Sequence, residues 1–153
     1  MRSITSNNMG QPSESAAIPI LNDRIEINAV RELIAEVLSR FGYGKSSTFA
    51  IRLALEEALN NAFGHGHRDL PPDEPVTLEY IVSAEQVCIA VTDQGPGFDP
   101  DSIPDPTLDE NIELPGGRGL LLMRAFMESV EFNDVGNVVR MVYLAPGGEL
   151  SDA

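Results

Sequence analysis

One cysteine, Cys88, stands in 153 residues. No intramolecular disulfide can form, nothing asks for an oxidising compartment, and cytoplasm is the expected setting. Tryptophan is absent, and lysine occurs once, as Lys45, beside nine arginines. Against 24 acidic residues this leaves a formal net charge of −14. A nucleic-acid binder displaces counterions with a cationic surface, and this balance supplies none, so no nucleic-acid partner is expected. The same charge argues against an anionic membrane surface. Long apolar runs are missing too: no stretch approaches the roughly 20 residues that span a bilayer. The opening MRSITSNNMGQPSESAA has no apolar segment of the secretory-signal kind. An acidic chain that binds a polyphosphate must rely on backbone N–H groups, a metal ion and a few placed arginines; taken alone, the charge also fits a protein merely kept soluble.

What is present suits one soluble domain with a real core, 42% of residues being hydrophobic. Residues 1–16 are polar and aperiodic and read as a disordered tail. The domain is expected over 17–145, with a flexible tail over 146–153. Residues 18–21 form a short strand candidate. Ile27, Val30, Leu33, Ile34, Val37, Leu38 and Phe41 recur at helical spacing and predict a helix over about 24–41 that stops at Gly42. Ser46 or Ser47 could cap a second helix, carrying Phe49, Ala50, Leu53, Ala54, Leu55, Ala58, Leu59 and Ala62 and fraying near Gly64 and Gly66. Residues 76–82 and 87–92 read as paired strands, 119–127 as a helix, and 130–132 with 138–144 as a hairpin turned at Asn133-Asp134 or Gly136-Asn137. Between them lies a loop, 99–115, with four prolines and six carboxylates. Hairpin-paired strands with helices on one face mean an α+β layered sandwich.

Gly44-Lys45-Ser46 imitates the end of a phosphate-binding loop, but Ser39 stands where the first glycine belongs and a helix precedes the turn instead of a strand. Three other segments carry chemistry. In Glu56-Glu57-Ala58-Leu59-Asn60-Asn61, Glu57 and Asn61 are four apart and share a helix face. Asparagine is a poor helix former, so two in mid-helix ask for a reason. A carboxylate and an amide oxygen one turn apart can serve as a base and a Mg²⁺ ligand; an exposed polar face is the alternative. Asp93-Gln94-Gly95-Pro96-Gly97 follows a strand, with glycines that let backbone approach a ligand and an aspartate that only accepts hydrogen bonds, apt for the amine of adenine; a plain turn fits as well. Gly116-Gly117-Arg118-Gly119 opens a helix, whose free N–H groups favour an anion, with Arg118 as a charged donor; an ordinary loop end is the alternative.

In combination, and with the runs EEALNNAFGHG (56–66), VTDQGPGFDP (91–100), DPTLDENIELPGGRGLLLM (105–123) and VEFNDVGNVVRMVY (130–143), the order of these segments resembles the GHKL, or Bergerat-fold, ATPases. More narrowly, the chain resembles the serine-kinase anti-sigma factors of bacteria over residues 18–144. The resemblance implies a two-layer α/β sandwich of the Bergerat type, with a mixed, mostly antiparallel sheet and helices on one face. It implies ATP and Mg²⁺, with Glu57 as general base, Asn61 as metal ligand, Asp93 holding adenine, Gly95 and Gly97 shaping the pocket, and Gly117 and Gly119 cradling phosphates. The acidic lid offers no lysine, so Arg118, Arg124 or the metal must neutralise the phosphates. His65 and His67 are not phosphoacceptors. The implied partners are a sigma factor and a small STAS-type anti-anti-sigma protein phosphorylated on serine, and members of this family commonly form homodimers. Two alternatives stay open: a nucleotide-gated binding module that transfers nothing, and an ATP hydrolase without a protein substrate.

Overall fold

The computed structural model describes residues 2–6, 12–66, 70–71, 73–95 and 117–146. Six strands are described, β1 (Arg2–Ser6), β2 (Pro12–Ile20), β3 (Val76–Ser83), β4 (Gln86–Thr92), β5 (Ser129–Phe132) and β6 (Val138–Leu144). They form one sheet in the order β1-β2-β3-β4-β6-β5. Alternation decides its two faces. Val76, Leu78, Tyr80 and Val82 of β3, Val87, Ile89 and Val91 of β4, and Val139 and Met141 of β6 all point inward and are buried. Each such side chain contributes roughly 1.5–3 kcal/mol of burial before entropy is counted. On the outward face, Ile81 is 53% exposed. All five described pairings are antiparallel. The α+β sandwich stands, and where a mixed, mostly antiparallel sheet was expected the described strands are antiparallel throughout.

Three described α-helices cover the inner face, and their buried residues join the strands in one core. Helix α1 (Arg24–Arg40) begins at Asp23, whose carboxylate accepts from the Ile25 amide, and buries Val30, Ile34, Val37 and Leu38. It ends in a Schellman turn: the Tyr43 and Gly42 amides donate to the carbonyls of Leu38 and Ser39, with Gly42 at φ +90°. Helix α2 (Lys45–Asn61) buries Ala50, Ile51, Ala54, Leu55, Ala58 and Leu59, and runs into a π-helical turn, Ala62–Gly66. Its cap is Gly44, without a side-chain hydrogen bond, and not Ser46 or Ser47. Ser47 is buried instead, where its hydroxyl accepts from the Tyr143 hydroxyl at 2.8 Å. Gly44 thus joins two helices, as a phosphate loop does not. Helix α3 (Gly117–Phe126) starts two residues earlier than its apolar spacing indicates.

The largest departure is at the N-terminus. The expected disordered tail contains β1 and most of β2, which pairs with β3 from Ser13 to Ile20. The inward set of β2 begins with Glu14, only 1% exposed. Its carboxylate accepts from Arg40 Nη1 at 2.7 Å and from the Tyr80 hydroxyl at 3.2 Å. Two partners on other elements allow a charge to sit in a strand of the core.

Candidate functional site

Helix α2 supplies the first part of the site. Its buried stripe faces the core, and Glu57 and Asn61 stand one turn apart along the stripe's flank, both half-buried. Among the described residues neither side chain makes a hydrogen bond or an ion pair. Glu56 is placed differently. Arg31 of α1 lies against it, Nε to Oε2 at 2.9 Å, and Arg31 also donates to Asn28 through Nη1. The Arg31 Nε–H is not aimed along that line and makes no hydrogen bond, so the contact is electrostatic. The two adjacent glutamates are therefore distinguished: α1 occupies one, and the other stays available beside Asn61.

The second part is the end of β4. Asp93, 9% exposed, follows the last paired residue, Thr92. Its Oδ1 accepts from the Gly95 amide at 2.8 Å, a tight Asx turn that orients the carboxylate. Its own amide donates to the Asn137 carbonyl at 2.9 Å, and Asn137 Nδ2 donates back to the Asp93 carbonyl at 3.4 Å. Gly97 lies outside the described residues.

The third part is the start of α3. Gly117 is its first residue, so Gly117 and Gly119 belong to the opening turn and not to a loop before it. Amides of a first turn have no partner within the helix, which is the property a phosphate uses. Arg118 lies in that turn, and its side chain falls outside the description. Helix α2 packs on both α3 and β4, so it links the elements bearing the other two motifs. Phe49 of α2 and Phe126 of α3 meet edge to face, centroids 6.3 Å apart.

An amide and a carboxylate are hard oxygen donors, which suits Mg²⁺. Glu57 and Asn61, both unengaged among the described residues, fit that ion and a neighbouring proton transfer. Among the described residues no group of three or more His, Cys, Asp or Glu side chains gathers for a metal, but Mg²⁺ shared with phosphates needs only one or two protein ligands. The side chains of His65 and His67 fall outside the description. No local motif marks Asn133, Asn137 or Arg31 as site residues in the sequence; the turn-forming pairs Asn133-Asp134 and Gly136-Asn137 are the available signal for the first two.

Residues 21–143 match the model of the histidine kinase-like ATPase domain. The chain is similar to the serine-protein kinase RsbW of Bacillus velezensis, 30% identical over 134 residues that cover 82% of both chains. It is 27% identical over 122 residues to the serine-protein kinase RsbW of Oceanobacillus iheyensis, covering 76% of this chain and 77% of the relative. To the serine/threonine-protein kinase BtrW of Bordetella bronchiseptica it is 31% identical over 88 residues, 55% of this chain and 60% of the relative.

Proposed function

This chain belongs to the histidine kinase-like ATPase domain family, and we propose that it is a Mg²⁺-ATP-dependent protein serine kinase that acts by partner switching. It binds a sigma factor and phosphorylates a serine on a small anti-anti-sigma protein. The observation that carries this reading is the unengaged Glu57–Asn61 pair among the described residues, one helical turn apart, beside a Glu56 held by Arg31. The similarity to proteins named serine-protein kinases along most of the chain supports it.

The Asp93 carboxylate accepts from the exocyclic amine of adenine while the Gly95 amide keeps it oriented. Amides in the first turn of α3, near Gly117 and Gly119, hold phosphate oxygens, with Arg118 as a charged donor. The Asn61 amide oxygen holds Mg²⁺, which supplies positive charge beside the phosphates. Glu57 takes the proton of the serine hydroxyl as the serine oxygen bonds to the γ-phosphorus and the bond from that phosphorus to the bridging oxygen of ADP breaks. Products are ADP and phosphoserine, and the proton rests on Glu57. No described helix is long and apolar enough to cross a membrane.

The test is incubation with γ-labelled ATP and small anti-anti-sigma candidates, together with capture of partners with and without ATP. Label on a serine of a captured protein supports the reading. ATP-dependent capture without label leaves a binding module, and phosphate release without either leaves a hydrolase.

A further inference from the structure

The turn between β5 and β6 is organised around Asn133. Its Oδ1 accepts from the amides of Gly136 at 2.8 Å, Asn137 at 3.0 Å and Val138 at 3.1 Å. Its own amide donates to the Val138 carbonyl at 3.1 Å, and the Gly136 amide also reaches the Asn133 carbonyl. Gly136 takes φ +82°, a conformation that suits glycine, and is buried. Three amides converging on one side-chain oxygen make this five-residue connection stiffer than a generic loop.

That turn points one of its residues at Asp93. The β4–β6 ladder runs to the pair Thr92–Val138, beyond which Asp93, just after β4, lies beside Asn137, just before β6. Asn137 then grips the Asp93 peptide at both ends: its carbonyl takes the Asp93 amide, and its Nδ2 reaches the Asp93 carbonyl. The orientation of the Asn137 amide group is itself held, because Asn133 Nδ2 donates to Asn137 Oδ1 at 2.8 Å. With that oxygen occupied, the nitrogen faces Asp93. A chain of named bonds therefore runs from Asn133 through Asn137 to the backbone of the residue that recognises the base, and the Gly95 amide completes it on the carboxylate.

We propose that Asn137, held by Asn133, is a positioning residue for base recognition: it sets where the Asp93 carboxylate stands and so how strongly the protein prefers a purine with an amine at C6. The proposal rests on the assignment of Asp93 to adenine. It extends the site to a turn whose Asn137 lies 44 residues further along the chain from Asp93 and reaches it only through the sheet. Asn137 touches no nucleotide; its effect passes through Asp93. A bond aligned this way is worth a small factor in affinity, and that factor falls on one ligand class only, because phosphates and metal are bound by other elements.

Calorimetric titration with ATP and ITP at one Mg²⁺ concentration tests this. ITP keeps the sugar and phosphates and replaces the C6 amine with a carbonyl. Asn137→Asp changes one donor nitrogen to an acceptor oxygen at almost constant volume, and Asn137→Ala is the second variant, should a carboxylate beside the Asp93 carbonyl prevent folding. Both are expected to weaken ATP by about 3–10-fold, the worth of one hydrogen bond, while ITP affinity holds. An unchanged ATP-to-ITP ratio would overturn the proposal, and so would equal losses for both ligands, which mean a purely structural turn. Wild-type protein that shows no preference for ATP over ITP would instead defeat the assignment of Asp93 on which the proposal stands.

Discussion

Arg31 on α1 holds Glu56 on α2 with Nε and Oε2 2.9 Å apart, and Glu57, the next residue, has no such partner among the described residues. Successive helix positions point about 100° apart, so one neighbour is turned to α1 and the other away from it. The two adjacent glutamates are alike in the sequence and differ in their surroundings in the fold.

Glu56→Gln should accordingly leave serine phosphorylation at its wild-type rate. Both side chains of the ion pair are about a third exposed, so its loss should cost no more than about 1 kcal/mol of stability. Parallel transfer assays and urea titrations check this. A collapse of transfer with stability intact would exchange the roles of the two glutamates.

Asn61 is assigned to the metal through its amide oxygen. Asn61→Ala should weaken nucleotide binding strongly in Mg²⁺ and little in EDTA. Titrations in the two buffers measure the contrast, and equal losses in both would make Asn61 structural.

Asp93 is assigned to adenine, and an ionised carboxylate only accepts hydrogen bonds. Guanine presents a carbonyl where adenine presents an amine, and two acceptors left facing each other cost roughly 1–3 kcal/mol. GTP should bind roughly 10–100-fold more weakly than ATP. Asp93→Asn, which can donate to that carbonyl, should narrow the gap. Calorimetry with the two nucleotides reads both effects, and equal affinities in the wild type would remove Asp93 from base recognition.

The fold carries its own pH signature at Tyr43. Burial raises its phenol well above the ordinary tyrosine range, and the hydroxyl donates to the Ser83 carbonyl at 2.7 Å. The folded state thus favours the protonated form. Its contribution is complete below the unfolded pKa of about 10 and is lost as pH rises above that value toward the folded one. Tyr43→Phe should lower stability by about 1 kcal/mol at neutral pH and flatten the alkaline decline. Urea midpoints from pH 8 to 11 test it, and an equally steep decline in the variant would place its origin elsewhere.

What could be read in advance follows from how local the determining forces are. The stripes Val30-Ile34-Val37 and Ala54-Ala58-Leu59 mark α1 and α2, and Val76-Leu78-Tyr80 marks β3, because periodic apolar burial is visible within one segment. The motifs at Glu57, Asn61 and Asp93 are local as well. Of strand β2 only the end, 18–20, is legible, since its inward face opens on Glu14, whose burial depends on Arg40 at a separation of 26 residues and on Tyr80 at 66. The cap of α2 misleads for a similar reason: Ser47 answers to Tyr143, 96 residues away, and not to its own helix end. Asn137 is likewise recognisable only once β6 lies beside β4.

The role of Glu57 tests the central claim most directly. Glu57→Gln keeps the shape of the side chain and removes its basicity. Single-turnover transfer from labelled ATP to the serine of a captured anti-anti-sigma protein should fall by roughly 10²–10⁴-fold, the usual worth of a general base, while ATP affinity measured on the same sample stays at the wild-type value. Near-normal transfer by the variant would contradict the assignment of Glu57 as the base of a protein serine kinase.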